Sequence, residues 1–416
     1  MDLHVPPNLQ RKWVWSGHRP GPQHAVGDLV VMTYNILNKA FCPEGIYPSC
    51  PDELLTTGRR HPLLMKEIDH HKDADVICMQ EVNSRYYDDV LRQDMQRRGY
   101  AGCYFMRPED DTVDIDKDNT DGSATFYRDD RFQLVKEECG QFKHLFEKES
   151  ENCQLPEDAA VSLPNLIDSS RVYIFTLLRC LKTKSRVAVG NIHTSFDFFT
   201  KMDLTTLEIA FAINGLVEFA GGVGTPHILC GDFNQEPHHP GYQLLHDGSL
   251  NKTMTTYLRD FKSGENGKVP SLVDVFPSCF KHNSRNLKSA YEAIVGHDVP
   301  FSNFEDSSAF FNIPKRDKLS KVVQALFDGT PTHPKVRKTD PEAYGSEKYV
   351  SALDYVWYSS DSLHCEAVLK MIDEDLILPL HACPNAVFPS DHLPIKAKFA
   401  FLKSSGSREP ELHSAL

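Results

Sequence analysis

The sequence predicts one large α/β domain, and three observations carry that reading. Short runs of β-branched and aromatic residues alternate with amphipathic helical stretches along the 416-residue chain. The strand-like runs recur almost to the C-terminus, so nothing splits the chain, although length alone would allow about three domains of roughly 150 residues. Several runs end in a carboxylate, an amide or an imidazole. An α/β enzyme needs this arrangement, because a rigid sheet holds functional groups more precisely than a loop does.

Taken in order, residues 1–27 are rich in Pro, His and Gly and read as a leader arm. The domain is expected over 28–402. Its strands are LVVMTYN (29–35), DVICMQE (75–81), SATFYR (123–128), RVYIFTLLRC (171–180), RVAVGNIH (186–193), HILCGD (227–232), LDYVWYS (353–359) and LPIKAKFAF (393–401). Helices are expected over 61–72, 85–98 and 203–219. The last of these opens on Asp203 as N-cap and carries Leu204, Leu207, Ala210 and Phe211 at helical spacing. Two segments interrupt the pattern. The acidic run PEDDTVDIDKDNTD (108–121) reads as a solvated loop. Residues 259–350 are polar, contain the basic clusters PKRDK and HPKVRK, and read as an insertion. The polar stretch 403–416 reads as a flexible tail.

Composition narrows the function. Hydrophobic residues make up 40% and charged residues 25%, as in a soluble globular protein. Lys+Arg number 45 against 58 Asp+Glu, a net charge of −13. Such a surface repels polyanions at long range and argues against a purely electrostatic nucleic-acid coat protein. An enzyme that meets phosphate through a metal remains open, because the metal supplies local positive charge. The 11 cysteines are scattered without a C-x-x-C pair, so neither a zinc ribbon nor a disulfide framework is indicated. Reduced thiols fit a cytoplasmic location, with the nucleus as an alternative. The N-terminus shows no signal peptide, and no 18-residue apolar stretch suggests a membrane span. The sequon at Asn251 and the final Ser414-Ala415-Leu416 carry little weight.

The chemistry lies at the strand ends. VVMTY runs into Asn35, VICMQ into Glu81, VAVGNI into His193, and HILCG into Asp232-Phe-Asn234. Asp354 opens a strand, and Pro389-Ser-Asp391-His392 precedes the last one. Carboxylates and amide oxygens without cysteine suit a hard cation such as Mg²⁺, with Mn²⁺ as an alternative. Asp232 beside Asn234 can deprotonate and orient a water. An aspartate within reach of a histidine fixes its tautomer and raises its pKa. Each residue alone has a plainer reading: Glu81 as a helix cap, His193 as a satisfied core histidine, Asp232-Phe-Asn234 as an Asx turn. Their joint occurrence in order at strand edges favours one site for metal-assisted attack of water on a phosphoester.

The motifs TYNIL (33–37), MQEVN (79–83), DGSATFY (121–127), NIHTSFD (191–197), CGDFNQEP (230–237), LDYVWYS (353–359) and PSDHLPI (389–395) resemble the endonuclease/exonuclease/phosphatase superfamily. Within it they are most similar to the branch of deadenylases, nocturnin and angel proteins. The resemblance covers roughly residues 11–402 and is nearest to the angel group. It implies a four-layer α-β-β-α sandwich of two mixed sheets flanked by helices. It also implies that Glu81 is the main Mg²⁺ ligand, with Asn35 and Asp391 supporting the metal side. Asp232 would activate the nucleophile and Asn234 orient it. His193 would contact the phosphate, and Asp354 would orient His392, which stabilises the transition state. Ser123 and Ile192 depart from the usual motif residues, and the two interruptions leave substrate choice open.

The expected activity is a Mg²⁺-dependent phosphodiesterase at RNA 3′ ends, a deadenylase-like 3′-to-5′ exoribonuclease acting as a monomer away from membranes. Alternatives are a 2′,3′-cyclic phosphatase of angel type, a phosphatase of small phosphoesters, and a non-enzymatic scaffold, against which the full residue set argues. No leucine-rich repeat or mitochondrial leader is seen, and no protein partner is implied. Phe196, Phe198 and Phe199 either stack bases or pack in the core. Lys315, Arg316, Lys318, Lys335, Arg337 and Lys338 form either a rim that guides RNA or a solvated loop.

Overall fold

Fifteen strands are found among the described residues of the computed structural model, which are 10–17, 25–107, 120–151, 157–196, 201–263, 270–307 and 349–403. They are β1 (Trp13–Trp15), β2 (Ala25–Asn35), β3 (Val76–Asn83), β4 (Tyr100–Met106), β5 (Asp121–Arg128), β6 (Phe132–Gln141), β7 (Val172–Cys180), β8 (Arg186–His193), β9 (His227–Asp232), β10 (Leu287–Ser289), β11 (Asn303–Glu305), β12 (Tyr349–Ser351), β13 (Asp354–Ser359), β14 (Leu363–Leu369) and β15 (Ile395–Leu402). One sheet runs β1-β14-β15-β2-β3-β5-β4 and the other β10-β13-β9-β8-β7-β6, with β11 and β12 as a separate pair.

The side-chain period of two gives each sheet two apolar faces, and therefore three cores. Leu29 and Val31 of β2 face Val187 and Val189 of β8 and Ile228 and Cys230 of β9, between the sheets. Val30, Met32 and Tyr34 point the other way, onto Leu64, Met65 and Ile68 of the helix Thr57–His70. Phe175, Leu229 and Trp357 of the second sheet pack on Leu207, Ile213 and Leu216 of the helix Met202–Phe219. The layers are thus helix, sheet, sheet, helix, as the motifs implied. Both sheets are mixed, because β2 runs parallel to β3 and β8 parallel to β9 while their neighbours are antiparallel. Each parallel pair delivers two strand C-termini to the same end of its sheet.

Several expectations need correction. Residues 13–15 of the supposed leader arm form β1, hydrogen-bonded to β14. Asp203 is not the N-cap of its helix; Lys201 is, and Asp203 is buried in the first turn, where it accepts from Leu272 N at 2.9 Å. Of the acidic run, 108–119 lies outside the described residues, while Asp121 opens β5 and is buried against an Arg107 ion pair of 2.9 Å. The described parts of 259–350 are built into the fold. Strand β10 pairs with β13, and Phe301 and Phe304 join the core between the sheets. The basic residues Lys315, Arg316, Lys318, Lys335, Arg337 and Lys338, together with Phe198, Phe199 and the tail beyond 403, lie outside the described residues. Phe196 is 42% exposed and so is not packed in a core. No helix among the described residues is long and apolar enough to cross a membrane.

Candidate active site

All eight site residues expected from the sequence stand at one end of the two sheets. Register places them. His193 pairs with Asp232 across the parallel β8–β9 ladder, and Asp232 pairs with Asp354 across β9–β13. In the facing sheet, Asn35 ends β2 beside Gln80, one residue before Glu81. Two local features aim the carboxylates. Glu81 takes a left-handed backbone, φ +56°, at a β-bulge between Met79 and Val82, which turns a residue of strand β3 towards the opposite sheet. Gly231, φ +144°, lets β9 approach β8 so closely that a Cβ there would lie 1.9 Å from Ile192 O. A buried polar layer ties the sheets beneath the site, with Gln80 Nε2 donating to Asn191 Oδ1 at 2.8 Å and Asn191 Nδ2 to Ala124 O at 2.9 Å.

Asn35 links the two sides. Its Nδ2 donates to Glu81 Oε1 at 3.0 Å and to Asp232 Oδ2 at 2.9 Å, and its Oδ1 accepts from Leu37 N at 3.0 Å. Glu81 Oε2 accepts from Asn38 N at 2.9 Å. Burial, and then the charges of Asp391 and Asp121, push Glu81 up to about 7. Asp391 is itself held by Tyr47 Oη at 3.0 Å and Ser390 Oγ at 3.1 Å. The charges of Asp391 and Asp121 acting on buried Glu81 are what a hard cation would relieve, and oxygen donors without sulfur fit a divalent one. Glu81, Asn35 and Asp391 are the residues that could hold it.

Asp232 links the Asn35–Glu81 pair to the two histidines. Its Oδ1 accepts from Asn234 N at 3.0 Å. Its Oδ2 lies 3.6 Å from His193 Nε2 and 3.7 Å from His392 Nε2. Burial raises Asp232 to about 6, with His392 working against the rise and Asp354 adding to it. Asn234, at φ +47°, turns its Nδ2 onto Thr194 O at 2.9 Å, and its backbone N–H donates to Asp232. His392 Nδ1 and Asp354 Oδ2 are 2.7 Å apart, and Ser302 Oγ accepts from Asp354 N at 3.0 Å. Burial opposes charging of His392, but Asp354 and Asp232 outweigh it and hold the ring well above the usual histidine range. His193 goes the other way. Burial, then Arg171, Arg107 and His392, hold it well below that range. The two histidines are therefore pushed in opposite directions, His392 towards the cation and His193 towards the neutral ring.

Sequence reasoning missed several neighbours. Arg171 Nη1 lies 3.4 Å from His193 Nδ1. Glu305, fully buried, is raised by burial and by Asp391. Arg60 is buried under the site and donates to the carbonyls of Ile36, Leu37 and Pro389. Asp121 and Arg171 had a signal, as the first residues of DGSATFY and of the expected strand RVYIFTLLRC; Glu305 and Arg60 stand where no strand-end pattern marks them.

No family model matches the chain. The chain is 25% identical over 395 residues to the CCR4-Not complex 3′-5′-exoribonuclease subunit Ccr4 of Debaryomyces hansenii, covering 92% of this chain and 40% of that one. It is 24% identical over 388 residues to carbon catabolite repressor protein 4 homolog 1 of Arabidopsis thaliana, covering 90% and 58%. It thus spans about half the length of the curated relatives it matches. Among solved structures it is similar to ANGEL2, a 2′,3′-cyclic phosphatase, in complex with adenosine-2′,3′-vanadate (TM-score 0.65, 22% identity, 94% of this chain and 99% of that chain). The human nocturnin catalytic domain with bound sulfate also matches (TM-score 0.56, 21% identity, 95% and 99%). These likenesses agree with the resemblance read from the motifs and show a shared fold.

Proposed function

We propose that the chain is a Mg²⁺-dependent phosphodiesterase acting at RNA 3′ ends as a deadenylase-like 3′-to-5′ exoribonuclease. The observation that supports this is Asp232, which accepts from Asn35 Nδ2 at 2.9 Å on one side and lies 3.7 Å from His392 of the His392–Asp354 pair on the other. The name of the Debaryomyces hansenii relative, a 3′-5′-exoribonuclease subunit, favours an exoribonuclease over other phosphoester chemistry.

Mg²⁺ held by Glu81, Asn35 and Asp391, with Mn²⁺ as a substitute, would polarise the scissile phosphate. The chain's own residues do the rest. Asp232 accepts a proton from the attacking water, and the Asn234 N–H fixes the carboxylate that does so. The His392 imidazolium and the neutral His193 meet charge that develops on the phosphoryl oxygens. Asp354 holds the His392 proton on Nδ1, so that Nε2–H faces the reaction. No two described cysteines form a disulfide, which suits action in the cytoplasm or nucleus. We assign the substrate to an unpaired RNA 3′ end and the acting unit to a monomer.

A second reading is hydrolysis of a terminal 2′,3′-cyclic phosphate, favoured by the fold shared with ANGEL2. The deciding experiment incubates pure protein and Mg²⁺ with labelled poly(A), mixed-sequence RNA, RNA ending in a 2′,3′-cyclic phosphate, and a dinucleotide. A ladder of shortened poly(A) supports the first reading. Release of the cyclic phosphate without shortening replaces it with the second. No turnover of any substrate, with the Glu81→Gln protein as blank, removes both.

A further inference from the structure

We propose that Arg171 is a positioning residue for His193, fixing the ring in the tautomer that carries its proton on Nε2 and so presents that N–H to the reacting phosphate. The inference rests on the proposed function only for what the N–H meets.

A guanidinium has five N–H donors, no acceptor, and keeps its proton in proteins. Its Nη1 stands 3.4 Å from His193 Nδ1. Nδ1 must therefore offer a lone pair, because an N–H there would face another N–H. A neutral imidazole has one ring proton, so that proton sits on Nε2. Nε2 is the atom turned to the site, 3.6 Å from Asp232 Oδ2 and 4.0 Å from Glu81 Oε1. The other tautomer would aim a lone pair at two carboxylates and an anionic phosphate.

The contact is built into the fold. Arg171 immediately precedes β7, and β7 is antiparallel to β8 with Tyr173 opposite Ile192, so Arg171 falls beside the strand end that bears His193. A buried carboxylate then fixes both segments. Glu208, on the helix Met202–Phe219, accepts from Ser195 N at 2.7 Å, from Ser195 Oγ at 2.6 Å and from Ser169 Oγ at 2.6 Å. Ser195 follows His193 by two residues. Ser169 precedes Arg171 by two and accepts its backbone N–H at 3.2 Å. Arg171 and His193 are thus referred to one anchor. The competing role is a free cation that binds substrate by charge alone.

The test uses the full chain with ¹⁵N-labelled histidine and long-range ¹H–¹⁵N correlation, which separates the two neutral tautomers. His193 is identified by the signals lost in His193→Gln. Arg171→Gln keeps an N–H donor and drops the charge; Arg171→Glu replaces the donor with an acceptor. We expect the Nε2–H pattern in the native and Gln proteins, with kcat for Gln within about fivefold of native. We expect Arg171→Glu to move the proton to Nδ1 and lower kcat at least about fiftyfold, with KM changing far less. A proton on Nδ1 in the native or Gln protein overturns the proposal. So does a Glu protein with the native pattern, or an equal loss in both variants through a raised KM. Should Arg171→Glu fail to fold, the native and Gln spectra decide alone. The spectra need no substrate, so expected spectra in a protein that hydrolyses no RNA would count against the proposed function and not against the contact.

Discussion

Asp354→Asn should lower turnover about a hundredfold while leaving the fold and KM nearly unchanged. The magnitude follows from the geometry. The carboxylate lies 2.7 Å from His392 Nδ1, and both groups are buried. Unit charges at that distance attract by about 6 kcal/mol at an effective dielectric of 20. Not all of this is lost. The amide oxygen of Asn can still accept the Nδ1–H bond, the neutral side chain avoids the desolvation cost of a buried anion, and Asp232 still faces Nε2 at 3.7 Å. About half, roughly 3 kcal/mol, then separates the variant from the native enzyme, or about a hundredfold in rate. The sign with pH is also fixed. In the proposed reaction His392 works as a cation, and it is held above its usual range by Asp354 and Asp232 against burial. Losing one carboxylate lowers it, so the alkaline limb of activity moves to lower pH. The assay is hydrolysis of end-labelled RNA under single-turnover conditions between pH 6 and 9. Activity within threefold of native, or an unmoved alkaline limb, would refute the relay.

Glu81→Gln should reduce hydrolysis at least about a hundredfold, because a hard-cation site depends on ligand charge. In metal-free protein, folded Glu81 keeps its proton up to about 7 while the unfolded chain releases it near 4.5, so stability is lost as pH rises across that window. The Gln variant should therefore melt higher than metal-free native protein at pH 8 but not at pH 4; identical melting curves at both would contradict this. As the proposed base, Asp232 has to be ionised to accept a proton and is raised to about 6, so kcat/KM should climb through about pH 6 to a plateau above 7. A profile already flat from pH 5 would remove Asp232 as the base. Arg60→Ala unpairs the buried carbonyls of Ile36, Leu37 and Pro389. It should cost about 3 kcal/mol or more in denaturant unfolding, and a loss below 1 kcal/mol would count against this clamp.

The sequence alone determined the eight strands nearest the site and the residues at their ends. Buried strands such as β2, β3, β8 and β9 are recognisable because both faces are covered, which forces near-continuous apolar runs. A carboxylate, amide or imidazole closing such a run stands out against it, as Asn35, Glu81, His193 and Asp232 do. Edge strands carry no such signal. In β6, FQLVKEECGQ, most side chains meet solvent on an open edge, so the segment lacks the apolar run that marks a buried strand. The three residues of β1 are strand only because β14 offers them a ladder.

The tertiary structure decided what no single segment contains. Asp354 reaches His392 because β13 lies beside β9, and Asp391 stands on the Glu81 side because the segment before β15 crosses to the end of β2. The opposite shifts of the two histidines follow from their neighbours, carboxylates around His392 and arginines around His193, which are set by strand order and register. Arg171, Glu305 and Arg60 belong to the site for the same reason. Sequence specifies a side chain's chemistry and the face of its strand or helix. Its partners are fixed only when the two sheets pack and exclude water, since burial gives those few ångströms of separation their electrostatic weight.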